Sequence, residues 1–258
     1  KPITMTAAEA DRLAAVTKEK GVQSMVCFSY RFKAAARYAR DLVERGMIGD
    51  IYHVDMQYYQ AWGLPHCNTP LVWRFEKQYT GSGALGDLGS HALDLVRFVT
   101  GKDYRRVVSH AGTFVHEREK LDGSGMGKVD VDDFANYFAE MDGGTAATFR
   151  ITRFGYGRGN YQTMEIYGSR GAIQYSLDHT PDADEIEICI GEANAEAHVF
   201  TKLPIPAKFK VDQMQSFADL LNGKADGKAA TIEDGRVNQH VMDAVLRSAE
   251  TGAWETID

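Results

Sequence analysis

Val131-Asp-Asp-Phe-Ala-Asn-Tyr-Phe-Ala-Glu-Met141, Thr145-Ala-Ala-Thr-Phe-Arg-Ile-Thr-Arg-Phe154 and Tyr161-Gln-Thr-Met-Glu-Ile-Tyr167 follow one another with only short Gly-, Asp- and Asn-containing stretches between them. Runs rich in aromatic and β-branched residues, broken in this way, read as strands joined by turns. Segments at about 104–115, 172–177, 185–190 and 197–201 look the same, and Ile51 to Tyr59 alternates as a half-buried strand does. Helices are expected around this run. One covers about 33–45, with Ala35, Tyr38, Ala39 and Leu42 inward; another carries Leu88, Ala92, Leu95 and Val99 and closes at Gly101; two more, Asp212 to Leu221 and about 232–250, finish the chain. Strands in the middle and helices at the ends imply an α+β domain with one largely antiparallel, open-faced sheet and helices on one side.

Residues 1–29 read differently. Thr6-Ala-Ala-Glu9 is a capping box, Ala10, Leu13, Ala14 and Val16 form an apolar stripe, and Gly21 is placed to end the helix. Val22 to Ser29, with Met25, Val26, Cys27 and Phe28 in a row, then reads as a strand buried on both faces. Such a strand needs a parallel neighbour, and nothing upstream of Lys1 supplies one. Residues 1–29 are therefore expected to be the last helix and strand of a truncated doubly wound domain, and residues 30–258 a second domain.

Composition narrows the functions. With 29 Lys and Arg against 36 Asp and Glu (29 − 36 = −7) and no basic block, neither nucleic acid nor an anionic membrane is an expected partner. No apolar run approaches the roughly 18 residues of a membrane span, and the opening KPITMTAAEADR has no signal-peptide core. Cys27, Cys67 and Cys189 form no C-x-x-C, which points away from disulfides and thiolate zinc and towards a reducing compartment, the cytoplasm.

Gly81-Ser-Gly-Ala-Leu-Gly86 is a literal G-x-G-x-x-G, but the fingerprint needs a buried strand just before it, and Arg74 to Thr80 is polar. It reads instead as a turn that brings backbone close to something bulky ahead of a helix. Asp87 and His91, four apart, share one helix face. A cap and an edge histidine is one reading. A histidine beside a carboxylate, placed to take a proton from a hydroxyl, is another; a metal site, with His66 as a further ligand, is the least supported. Lys1 precedes the first helix, where open α/β sheets bind ligands, and Tyr30-Arg31 follows the next strand end in the same way. Trp73-Arg74 offers an aromatic wall and a guanidinium for a polyol, or a clamp for its own loop.

The combination of Lys1-Pro2, Tyr30-Arg-Phe32, Gly46-Met-Ile-Gly49-Asp50, Trp73-Arg74 and Gly81 to Asp94, followed by Gln215-Ser-Phe217 and Glu233-Asp-Gly235, resembles the glucose-fructose oxidoreductase / inositol dehydrogenase / rhizopine catabolism (Gfo/Idh/MocA) family across essentially the whole chain. That resemblance implies an NAD- or NADP-dependent oxidoreductase acting on a hydroxyl of a sugar, anhydrosugar or inositol, of which this chain lacks most of the Rossmann domain and so the means to bind cofactor. Lys1 would bind the reacting hydroxyl, His91 accept its proton and Asp87 position it. With Lys1 at the chain terminus, that triad is expected not to assemble. Arg158 and Asn160, in the segment 153–161, resemble the family's substrate-side turn. A non-catalytic binding or assembly module is the main alternative, and a metal-dependent hydrolase or lyase the lesser one. Self-association into a dimer or tetramer is expected through the bare sheet face, with Val131, Phe134, Phe138, Phe149, Ile151, Ile166 and Ile173 as its apolar side chains.

Overall fold

The structure, a computed structural model, describes residues 1–177 and 184–257. In chain order its elements are α1 (Ala7–Lys20), α2 (Ala34–Glu44), β1 (Ile51–Tyr59), the short α3 (Lys77–Thr80), α4 (Ser90–Thr100), β2 (Tyr104–Gly112), β3 (Glu117–Glu119), β4 (Met126–Lys128), β5 (Phe134–Met141), β6 (Ala146–Thr152), β7 (Tyr161–Gly168), β8 (Gly171–Leu177), β9 (Asp184–Ile190), α5 (Glu192–Glu196), β10 (Thr201–Lys202), α6 (Gln213–Leu221), α7 (Ile232–Thr251) and β11 (Glu255–Thr256). Nine strands form one sheet in the order β10-β9-β8-β7-β1-β6-β5-β2-β11, and β3 and β4 pair separately. Only β1 and β6 run parallel; every other neighbouring pair is antiparallel.

Helices α2, α4 and α7 pack on one side of the sheet. Alternation decides which side chains meet them. In β6, Ala147, Phe149 and Ile151 are buried while Ala146 and Arg150 are exposed, and in β5 Ala135, Tyr137 and Ala139 are buried while Asn136 and Phe138 are exposed. This corrects the expectation for the bare face. Phe149, Ile151, Ile166 and Ile173 have no exposed surface and Val131 is buried; only Phe134 and Phe138 of the seven project to the other side. Across the pairing register Phe138 meets Val108 and Thr148, Phe134 meets Gly112 and Thr152, and Asn136 between them meets His110 and Arg150. A nine-stranded sheet needs its large aliphatic side chains for its own helix layer.

The first helix is as the sequence demands. Thr6 and Glu9 cap it reciprocally, and Gly21 closes it in the left-handed region. Val22 to Phe28, by contrast, pairs with no strand among the described residues. Val26 and Phe28 are buried, Cys27 and Val22 are exposed, and Val26 N–H bonds the Ala230 carbonyl. The segment therefore has one buried side rather than two, because a strand depends on a neighbour that no local pattern supplies. The expected strand at 197–201 is likewise reduced to Thr201 and Lys202, after the one-and-a-half-turn helix α5. No helix among the described residues is long and apolar enough to cross a membrane.

Candidate active site

The glycine turn at 81–86 feeds a single wide turn, Leu85–Gly89, that continues into α4. A Cβ on Gly83 would overlap the Asp132 carbonyl, so the chain passes this close only as glycine. The free amides of this helix start are already used. Gly83 N–H and Leu85 N–H bond the two carboxylate oxygens of buried Asp132 at 2.6 and 2.7 Å. An internal carboxylate thus takes the two amides that a pyrophosphate would need at such a turn.

Asp87 emerges from this turn at the wall of a cavity of about 430 Å³, whose lining includes Lys1, Pro2, Trp73, Arg74, Tyr79, Ser82 and Arg153. The Lys1 ammonium donates to the Asp87 main-chain carbonyl and lies 3.7 Å from its carboxylate. Two members of the triad expected not to assemble, Lys1 and Asp87, are thus in contact, and the Lys1 side chain is only 13% exposed. Burial lowers the Lys1 amine to about 8; Asp87 opposes this, and the guanidinium groups of Arg153 and Arg74 add to it.

His91 sits one turn further along the helix. Its ring lies edge-on to Tyr30 with centroids 4.7 Å apart, with Phe28 at 6.1 Å and Tyr58 at 6.4 Å. Nδ1 is buried with no hydrogen-bond partner among the described residues. Burial first, and then the Lys1 charge, hold the imidazole well below the ordinary histidine range, so it is the neutral, proton-accepting form at pH 7.

The other residues singled out from sequence separate into three groups. Trp73 and Arg74 line the cavity, the guanidinium 4.4 Å above the indole ring. Tyr30 and Asn160 meet beside His91, bonded to each other and to Tyr58. Arg31 and Arg158 do not join them. Arg31 is buried with a two-point contact to Asp94 (2.8 and 2.5 Å) and a third contact to Asp234 at 3.2 Å. It is a structural ion pair, because a guanidinium enclosed in the core requires carboxylates around it. Arg158 stacks 3.9 Å over the Tyr161 ring, outside the cavity lining.

Arg153, which sequence reasoning did not single out, is 1% exposed and reaches the site from the end of β6. It donates to Gly83 O at 2.9 Å, approaches the Asp87 carboxylate at 3.4 Å and lies 4.6 Å over Trp62. Ala147, Phe149, Ile151 and Arg153 share one side of the strand, so an arginine ending an inward-facing apolar row was the available signal. Among the described residues no group of three or more His, Cys, Asp or Glu is placed to hold a metal ion.

Residues 36–174 match the pattern of the GFO/IDH/MocA C-terminal domain. The chain belongs to the Gfo/Idh/MocA oxidoreductase family. Within that family it is 28% identical to levoglucosan dehydrogenase of Pseudarthrobacter phenanthrenivorans, over 98% of this chain and 72% of that protein. Glucose-fructose oxidoreductase domain-containing protein 2 of Xenopus laevis is 29% identical over 92% of this chain and 65% of its own length. Among solved structures, an oxidoreductase domain protein from Kribbella flavida superposes with a TM-score of 0.87 at 33% identity, over all of this chain and 72% of that one. Levoglucosan dehydrogenase in complex with NADH and levoglucosan superposes with a TM-score of 0.87 at 29% identity and the same coverage.

Proposed function

We propose that this chain carries the substrate side of an NAD- or NADP-dependent oxidoreductase that oxidises a hydroxyl of a sugar, anhydrosugar or inositol. The observation that carries the reading is the Lys1–Asp87 contact in the wall of a cavity roomy enough for a sugar ring, with a neutral His91 one helical turn beyond Asp87 and within reach of the Lys1 charge, in a member of this family. Levoglucosan dehydrogenase, with its NADH and levoglucosan complex, supports the same cofactor and substrate class.

Oxidising a secondary alcohol removes a hydride from carbon and a proton from oxygen. A nicotinamide supplies the hydride acceptor when bound. The described residues supply the rest. The Lys1 ammonium donates a hydrogen bond to the substrate oxygen and stabilises the alkoxide character that grows there, while Asp87 fixes the ammonium and His91 takes the proton. Arg153 holds the Asp87 carboxylate in place. Trp73 and Arg74 form the wall against which the polyol rests. The nucleotide's phosphates find no cradle here, since the amides of the glycine turn already hold Asp132. On this reading residues 1–29 border a dinucleotide-binding domain, residues 30–258 bind substrate, and copies of the chain associate through the open sheet face.

Assaying the full product of the encoding gene with NAD+ and NADP+ against pyranoses, anhydrosugars and inositols tests the proposal by the appearance of reduced cofactor. Turnover of at least one of these polyols is expected. No turnover of any, together with no perturbation of the Trp73 indole resonance by any, would refute it.

A further inference from the structure

Whatever orients a catalytic histidine must act on its ring, and among the described residues no carboxylate or carbonyl, the usual device, bonds His91 Nδ1. Asp87 faces Lys1 and Arg153 instead. The imidazole is held by aromatic walls, of which Tyr30 is the nearest and Tyr58 the next hydroxylated one. Those two rings are themselves tied down at their far ends. The Tyr30 and Tyr58 hydroxyl oxygens are 2.6 Å apart, and Tyr58 OH lies 2.7 Å from Asn160 Oδ1. Asn160 Nδ2 lies 3.0 Å from Tyr30 OH.

One assignment of protons uses every donor once. Asn160 Nδ2 donates to Tyr30 OH, Tyr30 OH donates to Tyr58 OH, and Tyr58 OH donates back to Asn160 Oδ1, closing a ring. Gln60 Nε2 adds a second donor to Asn160 Oδ1 at 2.9 Å, and Trp62 Nε1 donates to Gln60 Oε1 at 2.7 Å. The ring joins the turn after Phe28, the end of β1 and the loop before β7. Its members have no hydroxyl proton left for a substrate. Burial and the neighbouring Tyr30 raise the Tyr58 phenol far above its ordinary range, so Tyr58 keeps its proton at working pH.

From this closed ring we infer that Asn160 is a positioning residue: it locks the Tyr30 and Tyr58 rings against His91 and so sets the direction of the imidazole, rather than binding substrate itself. The inference rests on the reading of His91 as the proton acceptor. Asn160→Ala opens the ring at both ends, and Tyr30→Phe keeps the aromatic wall while removing its tether.

The test is an NMR titration of the His91 ring resonances in the wild type, Asn160→Ala and Tyr30→Phe, paired with kcat and KM of the full gene product on whichever polyol it turns over. In both variants the walls loosen, water reaches the imidazole, and the His91 pKa rises towards the ordinary histidine value. On the misplacement of a base by an ångström or so, kcat falls roughly tenfold to a hundredfold, while KM changes less than about twofold. An unchanged His91 titration in a folded variant overturns the inference, as does a raised KM with unchanged kcat, which marks a direct substrate contact. If Asn160→Ala does not fold, Tyr30→Phe decides alone. The titration reads His91 whether or not it is catalytic: a shift as expected in Asn160→Ala together with full activity of His91→Ala would leave Asn160's role standing and refute the proposed base.

Discussion

Replacing Asp94 by alanine removes the main counter-charge of Arg31 and leaves a guanidinium in the core. The two side chains are 3% and 5% exposed, so solvent screens little of their interaction. Burial raises the Asp94 carboxyl to about 6, against the pull of Arg31, and at pH 7 it is still the anionic partner. Breaking a buried pair by removing one member costs about 3–5 kcal/mol. Asp234 stays 3.2 Å from the same guanidinium, also ion-paired to Arg97, which places the expected loss near the lower end, at about 3 kcal/mol. For a domain of this size that corresponds to a fall in Tm of roughly 6–12 °C. Asp94→Asn, which keeps one acceptor but no charge, should lose less. Urea unfolding followed by circular dichroism gives the answer, read as a shift in midpoint at unchanged slope. A loss under about 1 kcal/mol for Asp94→Ala would show that Arg31 needs no buried carboxylate and that the pair does not brace this region. On sequence alone Asp94, outside the Asp87/His91 pair, is expected to matter little to turnover; the loss expected here is one of stability, and it comes from burial against Arg31.

Three further outcomes follow from the site and the sheet. Calorimetric titration of this chain with NAD+ or NADP+ should show no micromolar binding, because the amides at the glycine turn are held by Asp132; micromolar affinity would overturn that account of residues 81–86. The pH profile of kcat/KM should fall above about 8 as Lys1 loses its proton, and on the acid side only below the ordinary histidine value, where His91 gains one; in Lys1→Arg the alkaline limb should move up by more than one unit, and a profile that keeps its limb would sever Lys1 from the reaction. Sedimentation equilibrium should show association through the open sheet face, weakened by Phe138→Asp, whose aromatic side chain is 59% exposed there; a single 28.6 kDa species at micromolar concentration would refute it.

Local chemistry made much of this chain legible. The start of β1 follows from alternation beginning after Gly49-Asp50, and the cap of α1 from Thr6-Glu9. Asp87 and His91 are readable as a pair because helix geometry fixes four-residue spacing onto one face. What escaped depends on distant partners. Val22 to Phe28 has strand composition, yet pairing is not a local property. Lys1 is singled out by its place before the first helix, but its anchor on Asp87, 86 residues away in sequence, is not readable there. Tyr58 and Gln60 look like ordinary members of a β-strand and its exit until Asn160 and Tyr30 are brought to them by the fold. Arg31 and Asn160 were both named as substrate contacts from sequence, and their partners come from afar: Arg31 bonds Asp94, and Asn160 bonds the Tyr30–Tyr58 pair.

The most direct test of the account is the turnover of His91→Ala in the full gene product, measured at neutral pH and saturating polyol and NAD+ or NADP+. If His91 is the group that takes the hydroxyl proton, kcat falls by about a hundredfold to ten-thousandfold, with circular dichroism showing a folded variant. Turnover within a few-fold of wild type would contradict it.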